Sequence, residues 1–358
     1  MRVRDAIGCP AMGIIMKIGI RVDGGSKVGF GHLVRMEALA GQFAALNHEV
    51  YFFSQVFSPR RISSYRVIDR PEGFNMEEEL KWLREQLIAF QCQMLIVDSY
   101  AYQEQELDQI SRWPVYSVYY DDLNRHLFSV DCVANGSFFG EKLPYKGNAL
   151  FLLGKDYTLL RPEFAGLPEK KINDNVKEVL ITVGGADPGN TLPKLATWTK
   201  EFEHFSSLRF HLVIGPAFLN KDVIANETKD FTNFVLHYDA DMAELIKRCD
   251  MAVSAAGQTV HELMAGGLPA LLIIVAENQR QNADMAAKLG CGINLGNIEA
   301  IEKEAFLSAL EELYFNRNLR QSMSRKGQSL IDGNGAKRLA ERLVAESGSL
   351  KSEVGSRK

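Results

Sequence analysis

A single histidine follows a glycine-rich turn near the start of the chain. Residues 18–43 read IGIRVDGGSKVGFGHLVRMEALAGQF, and a β-rich run there leads through the turn to His32 and an amphipathic helical stretch. Imidazole, with an ordinary pKa of about 6.5, accepts a proton near neutral pH. The amino end of a helix favours the neutral ring that a general base requires. We predict that His32 is a catalytic base, and that Asp23 orients its ring or binds a substrate hydroxyl.

The glycines of this turn allow a sharp bend and a close approach to a ligand. We predict that Gly29 and Gly31 contact the substrate. The turn does not match a P-loop, because Lys and Ser or Thr do not follow the glycines, and it is a poor match to the dinucleotide-binding fingerprint. The spacing also allows a simpler interpretation, a tight strand-to-helix turn in which His32 is a solvated helix cap.

Two glycine-rich turns in the second half of the chain predict a nucleotide site. The first lies in ITVGGADPGN, residues 181–190, and the second in SAAGQTVHEL, residues 254–263, where a helix begins near Thr259. Backbone N–H groups at such turns can hold phosphate oxygens. Glu262 can accept both hydroxyls of a ribose, although a first-turn acid also stabilises a helix without any ligand. The predicted nucleotide-binding residues are Gly185, Ala186, Asp187, Ala256, Gly257, Gln258, Glu262 and Gln279.

Polar residues also end two strands of the first half. The sequence Asp98-Ser99-Tyr100 ends one strand and Asp121-Asp122 ends another. We predict that Tyr100 positions a sugar and that Asp122 contacts substrate. Adjacent aspartates often point apart and cap helices instead, so the pair alone does not indicate a metal.

Short β-branched runs alternate with helical stretches along almost the whole chain, which is typical of parallel βαβ units. The alternation restarts midway, and we predict six strands in each half. The predicted organisation is an extension over 1–16, a Rossmann-like domain over 17–153 that carries His32, a linker over 154–175, a nucleotide-binding Rossmann-like domain over 176–347 and a frayed tail over 348–358.

The composition narrows the class of protein. The chain has 358 residues, 46% hydrophobic and 24% charged, with a formal net charge of -4. Because it has no long basic run, nucleic acid and membrane surfaces are not expected partners. The five cysteines are scattered, which disfavours a disulfide framework or a zinc site. No window approaches the ~18 apolar residues of a membrane span. We expect a cytoplasmic protein that is a monomer or weak dimer.

Taken together, these motifs resemble the PseG/SpsG family, which comprises UDP-sugar hydrolases of the pseudaminic-acid pathway and related spore coat polysaccharide biosynthesis proteins. The matching stretches occur in the family's order from about Lys17 to Leu289. They are IRVDGGSKVGFGHLVR, LIVDSYAY, VYYDD, LGKDYTLLRPEF, ITVGGADPGN and SAAGQTVHELMAGGLP…ENQ.

The resemblance implies a GT-B fold, two Rossmann-like parallel-sheet domains that face a cleft. It implies hydrolysis of UDP-2,4-diacetamido-2,4,6-trideoxy-β-L-altropyranose to UDP and the free sugar, with inversion and without a metal or other cofactor. His32 matches the family's base, Asn278 its substrate-placing asparagine and Tyr100 its aromatic residue after a strand-ending Asp; Arg161, in the fourth stretch, is assigned to the substrate. The family often has an aromatic residue where this chain has His261. A GT-B glycosyltransferase with a UDP-sugar donor and, more distantly, a non-catalytic sugar-nucleotide-binding protein are the alternatives.

Overall fold

The computed structural model describes residues 15–24, 30–54, 64–238 and 240–355, with side chains as far as residue 348. No helix within these ranges is both long enough and apolar enough to span a membrane. The four cysteines that they contain are buried free thiols.

The first half of the chain forms a parallel sheet flanked by helices. Its elements are β1 (Lys17–Val22), α1 (Gly31–Ala45), β2 (Glu49–Ser54), β3 (Arg66–Asp69), α2 (Met76–Ala89), β4 (Met94–Asp98), α3 (Glu104–Ile110), β5 (Tyr116–Tyr120), β6 (Leu127–Phe128), β7 (Cys132–Asn135), β8 (Lys146–Gly147) and β9 (Leu150–Leu153). Seven strands pair in the order β3-β2-β1-β4-β5-β7-β9, and β6 and β8 form a separate small sheet.

The second half repeats this architecture. Its elements are β10 (Glu178–Thr182), α4 (Thr191–Thr199), β11 (Arg209–Val213), α5 (Lys221–Thr228), β12 (Phe234–His237), α6 (Met242–Arg248), β13 (Met251–Ala255), α7 (Thr259–Ala265), β14 (Ala270–Ile274), α8 (Arg280–Leu289), β15 (Ile293–Asn297), α9 (Lys303–Phe315), α10 (Arg317–Leu330) and α11 (Gly335–Gly355). Six parallel strands pair in the order β12-β11-β10-β13-β14-β15.

Both sheets have their first strand in the middle, and this placement creates a cleft. Strand β1 pairs with β2 on one side and β4 on the other, and β10 likewise lies between β11 and β13. Connections from neighbouring strands therefore leave toward opposite faces of the sheet, and a crevice opens beyond their carboxyl ends. Strands β4 and β13 are buried along their whole length, as expected for a sheet covered by helices on both faces.

The last helix of the chain returns to the first sheet. Leu339 and Leu343 of α11 are fully buried in the apolar core that also contains Met36 and Leu39 of α1. The backbone of α11 remains helical to Gly355, where the sequence predicts a frayed tail. The chain thus crosses between the two halves twice, and its end stabilises the lobe in which it begins.

The two parallel sheets agree with the sequence prediction, which missed one edge strand. Strand β3 reads RVID and has only four residues, of which the two at the ends are exposed and the two in the middle are half-buried. A short edge strand of this kind lacks the continuous apolar run that identifies a central strand. The helix that follows the turn at Gly185 begins at Thr191.

Candidate active site

The imidazole of His32 lies in the first turn of α1 and is held by the carboxylate that ends β4. The His32 Nδ1 and Asp98 Oδ1 atoms are 2.6 Å apart, and both side chains are buried. A carboxylate accepts but does not donate, so the Nδ1 proton is directed to Asp98. In the neutral ring the other nitrogen, Nε2, is then the acceptor. This arrangement fixes the tautomer that a general base requires.

Asp98 is itself fixed by Arg35, one turn further along α1. Arg35 donates from Nε to Asp98 Oδ2 at 2.7 Å and from Nη2 to Asp98 Oδ1 at 2.5 Å. Burial alone raises the pKa of Asp98, but the charges and hydrogen bonds of Arg35 and His32 outweigh it and lower that pKa to about 2. Asp98 is therefore ionised at neutral pH. Arg35 also lies over the ring of Tyr120, with its guanidinium carbon 4.6 Å from the ring centroid.

A second carboxylate extends this network toward the other half of the chain. Asp122 Oδ2 accepts from Arg35 Nη1 at 3.0 Å and from the Tyr100 hydroxyl at 2.9 Å. The edge of the Tyr100 ring meets the His32 ring, with centroids 4.6 Å apart. Asn278 Nδ2, which belongs to the second half, lies 3.4 Å from the Tyr100 hydroxyl oxygen. Tyr100 thus contacts the candidate base, a carboxylate and the opposite lobe.

The glycine-rich turns of the second half face this network across a cleft of about 1000 Å³. The turn after β10 lies close to Phe30, the residue before α1. A β-carbon built on Gly185 would be only 2.9 Å from the Phe30 ring. The turn after β13 is also close, because a Cβ on Gly31 would lie 3.8 Å from Gln258 Cβ. The two glycine-rich turns of the second half and the start of α1 in the first half therefore line one cavity.

Glu262 is paired with an arginine of the segment that connects the sheets. Arg161 Nη2 donates to Glu262 Oε1 at 3.0 Å, and Arg161 Nη1 is 3.1 Å from Glu163 Oε1. Burial lowers the pKa of Arg161, but the two glutamates outweigh it and raise the pKa above its ordinary value. The guanidinium therefore remains charged beside the carboxylate that the sequence assigns to a ribose.

Asp187 caps the helix that follows its turn. Its carboxylate accepts from the backbone N–H groups of Thr191 at 2.7 Å and Leu192 at 2.9 Å, and from Asn220 Nδ2 at 3.2 Å. These bonds hold the turn after β10 in place, so the side chain supports the cleft wall. Its assignment to the nucleotide remains a prediction.

Sequence comparisons match both halves of the chain. The glycosyltransferase family 28 C-terminal domain matches residues 179–343. The spore coat polysaccharide biosynthesis protein SpsG of Bacillus subtilis (strain 168) is 24% identical over 328 residues, which are 89% of this chain and 95% of that protein. The pseudaminic acid cytidylyltransferase and UDP-2,4-diacetamido-2,4,6-trideoxy-beta-L-altropyranose hydrolase of Helicobacter pylori (strain ATCC 700392 / 26695) is 32% identical over 111 residues, 31% of this chain and 19% of that protein.

The chain is similar to the PseG/SpsG family. Solved structures agree on the fold of this PseG/SpsG-like chain. Acinetobacter baumannii MurG superposes with a TM-score of 0.67 at 14% identity, covering 92% of this chain and 99% of that one. The calicheamicin glycosyltransferase CalG4 superposes with a TM-score of 0.66 at 13% identity, covering 94% and 99%. With its two facing parallel sheets, the chain has the predicted GT-B fold.

Thirteen of the residues predicted from sequence line the cleft of the PseG/SpsG-like chain: Gly31, His32, Tyr100, Asp122, Arg161, Gly185, Ala186, Asp187, Gly257, Gln258, Glu262, Asn278 and Gln279. Gly29 lies outside the described residues. Ala256 is buried behind the wall, where its N–H donates to Ile273 O at 2.9 Å, so this amide is not available to a phosphate. The roles of the thirteen remain predictions.

Asp23 does not hold the imidazole. It accepts from Arg21 Nη1 at 2.6 Å and from the Ser99 hydroxyl. Strand β1 pairs with β4, Val22 lies opposite Asp98, and it is Asp98, at the end of β4, that reaches His32. The suggestion that Asp23 orients the ring was therefore wrong, and its contact with a substrate hydroxyl stays a prediction.

Two residues at the centre of the site were not assigned from the sequence. The sequence prediction includes Asp98 only as part of a strand end and gives no role to Arg35. Arg35 follows His32 by three positions, so both lie on one face of α1. The sequence does contain a signal for this pair. An arginine follows the candidate base by one helical turn, and an aspartate ends a buried strand. Within the described ranges, no three His, Cys, Asp or Glu side chains are arranged to hold a metal.

Proposed function

We propose that this protein hydrolyses a UDP-linked diacetamido-trideoxy sugar at its anomeric carbon and releases UDP and the free sugar. The observation that carries the proposal is the imidazole of His32, whose Nδ1 faces an ionised Asp98 and which lines the cleft opposite two glycine-rich turns. In this scheme His32 Nε2 removes a proton from a water molecule. The water attacks the anomeric carbon on the face opposite UDP, and its oxygen forms the new C–O bond as the bond to UDP breaks.

Asp98 and Arg35 act on His32 rather than on the substrate. When the imidazole gains a proton, the adjacent carboxylate stabilises the resulting cation and keeps the ring in place. Arg35 holds Asp98 through two hydrogen bonds, so the carboxylate cannot turn away. Proton transfer to a group positioned in this way contributes about 10²–10⁴ in rate.

The departing group explains why one base is enough. Most glycosidases need a general acid as well, because a sugar alkoxide leaves poorly. A diphosphate leaves as a stabilised anion. Amides of the turns at Gly185 and Gly257 would bind the charge that develops on it. The name of the Helicobacter pylori relative, which includes a UDP-sugar hydrolase activity, supports the same reaction here.

Two measurements test the proposal. Proton NMR of the protein with UDP-2,4-diacetamido-2,4,6-trideoxy-β-L-altropyranose, and with no acceptor, should show cleavage and an inverted anomer as the first product. His32→Asn should reduce turnover by about 10²–10⁴ while UDP affinity stays within about threefold of wild type. If UDP release by His32→Asn matches wild type, His32 is not the base.

A glycosyltransferase is the second candidate, and specific observations favour it. The matched domain family and the superposed calicheamicin enzyme both carry glycosyltransferase names, and such an enzyme would use the same cleft. In that case His32 would deprotonate an acceptor hydroxyl instead of water. An intact sugar nucleotide after incubation without acceptor, together with tight UDP binding, would favour transfer over hydrolysis.

A further inference from the structure

A second histidine, His261, lies in the cleft and has no role in the mechanism above. It is in the first turn of α7 and is 5% exposed. Its Nδ1 is 3.3 Å from the backbone oxygen of Gln258. A carbonyl only accepts, so Nδ1 carries the proton and Nε2 is an acceptor. Burial, the main cause, lowers the pKa of His261 to about 4, and the ring is neutral at pH 7.

The Nε2 atom of His261 is buried and has no hydrogen-bond partner among the described residues. The Phe138 ring, from the first lobe, meets the imidazole at a centroid distance of 5.4 Å and fixes its orientation. A buried acceptor without a donor is unfavourable, and native proteins rarely keep one without a reason. Because the His261 side chain lines the cleft, a donor group of a ligand bound in the cleft is the candidate partner for this atom.

Asp122 presents a second acceptor of the same kind. Its Oδ2 is occupied by Arg35 and Tyr100, but its Oδ1 is buried without a partner among the residues that the structure describes. Burial lowers the pKa of His261 most, while the charge of Arg35 lowers it further and the charge of Asp122 raises it. All three side chains line the cleft. Among the described residues that line the cleft with His32, two acceptor atoms therefore have no hydrogen-bond partner, one from each lobe.

We propose that His261 Nε2 accepts a hydrogen bond from an N–H or O–H group of the sugar, opposite Asp122 Oδ1, and so selects the sugar rather than the nucleotide. The proposal rests on the proposed function in one respect, that the ligand is a sugar nucleotide. It does not depend on whether water or an acceptor hydroxyl attacks the sugar. His261 is a specificity-determining residue in this scheme, and the acetamido N–H groups of a diacetamido sugar are donors of the required kind.

Two substitutions distinguish the role of Nδ1 from that of Nε2 in the His261 ring. In His261→Asn the side-chain amide can replace Nδ1 and donate to the Gln258 oxygen, but nothing replaces Nε2. In His261→Gln the longer side chain can place an amide oxygen where Nε2 lies. The pair thus removes or restores the cleft acceptor with little difference in bulk.

Binding is measured by calorimetry in a His32→Asn background, so that the sugar nucleotide is not consumed. The probes are UDP and the UDP-linked diacetamido sugar. We expect His261→Asn to weaken sugar-nucleotide binding by about tenfold and UDP binding by less than twofold. In His261→Gln, the affinity for the sugar nucleotide should lie within about threefold of that of the protein with His261. In ¹⁵N NMR of histidine-labelled protein, the Nε2 resonance of His261 should move on addition of the sugar nucleotide but not of UDP.

Other results would overturn the inference. Equal losses for UDP and the sugar nucleotide would place His261 in the nucleotide site. Equal behaviour of the Asn and Gln variants would indicate a packing role, or a structural water on Nε2. A selective loss in His261→Asn combined with no hydrolysis by the wild type would leave this inference standing and remove the hydrolase proposal. A protein that binds neither probe would overturn both.

Discussion

At the scale of single residues, the two nitrogens of His32 have different environments. Nδ1 faces a carboxylate that Arg35 holds in place, and Nε2 is left as the basic atom. Asp98 determines which nitrogen carries the proton, and Arg35 determines where Asp98 lies. The chemistry assigned to His32 therefore depends on two residues that need not touch substrate.

Replacing Asp98 by Asn tests this dependence. The amide can present its NH₂ group to Nδ1, which would favour the tautomer with the proton on Nε2 and abolish the base. We expect kcat to fall by about 10²–10⁴ with UDP affinity unchanged. Glu79→Gln is the matched control, because Glu79 is also a buried carboxylate held by an arginine, Arg21, but does not line the cleft. Similar losses of kcat in both variants would indicate general destabilisation.

The low pKa of Asp98 also leads to a prediction of how the stability of the fold depends on pH. Its pKa is about 2 in the folded protein and about 3.9 when unfolded. A lowered native pKa stabilises the fold above the unfolded value, and this contribution is lost as the pH falls from about 4 to 2. Urea unfolding at pH 5 and pH 3 should show a larger loss of unfolding free energy for wild type than for Asp98→Asn. Equal losses would contradict the assigned ionisation.

At the scale of elements, the start of α1 is held from two directions. The carboxyl ends of β1 and β4 lie beneath it, and α11 packs along its side. His32 and Arg35 therefore project from a helix whose position depends on the last part of the chain. A site built on such rigid elements keeps its geometry better than one built on loops.

Removing an apolar side chain from α11 should destabilise the first lobe. Leu343 is fully buried against the core that contains α1. Leu343→Ala should lower the free energy of unfolding by about 2–5 kcal/mol, measured by urea denaturation. Glu341→Ala, at an exposed position of the same helix, is the control and should change it by about 0.5 kcal/mol or less. If the two variants unfold alike, the packing of α11 on α1 contributes little.

At the scale of the whole molecule, the cleft combines the candidate base from one lobe with amides and a glutamate from the other. Arg161, from the connection between the sheets, pairs with Glu262 and so links the lobes beside the predicted ribose site. Asn278 and Tyr100 form a second link across the cleft. Neither lobe alone carries all the residues predicted for the site.

Glu262→Gln tests whether this linked carboxylate binds a ribose. We expect UDP to bind about tenfold more weakly, and the preference for UDP over 2′-deoxy-UDP to decrease, because an amide accepts hydroxyl protons less well than a carboxylate. Saturating UDP should then stabilise the variant by about 1.4 kcal/mol less than wild type in thermal unfolding. Glu163→Gln removes the other acidic partner of Arg161 and is the control. If Glu163→Gln weakens UDP binding as much as Glu262→Gln does, Arg161 rather than Glu262 determines UDP affinity.

Much of the architecture could be predicted from local pattern. Two parallel sheets are predicted by three features: the apolar runs of the central strands, the helix after His32 and the restart of the strand–helix alternation. Each of these features can be recognised from residues that are neighbours in the sequence. The edge strand β3 was missed, since four mixed residues have no distinct period. His32 and the glycine-rich turns were found in the same way, because each motif is continuous in sequence.

The partners of those motifs depend on distant parts of the chain. Asp98 is 66 positions from His32, and Glu262 is 101 positions from Arg161. No local rule decides that Asp98 rather than Asp23 reaches the imidazole, or that Asp122 and His261 line one cleft from opposite lobes. The sequence by itself determined the elements and the types of group that they carry. The tertiary structure decided which groups meet, because strand order and the packing of one sheet against the other bring residues together from positions far apart in the chain.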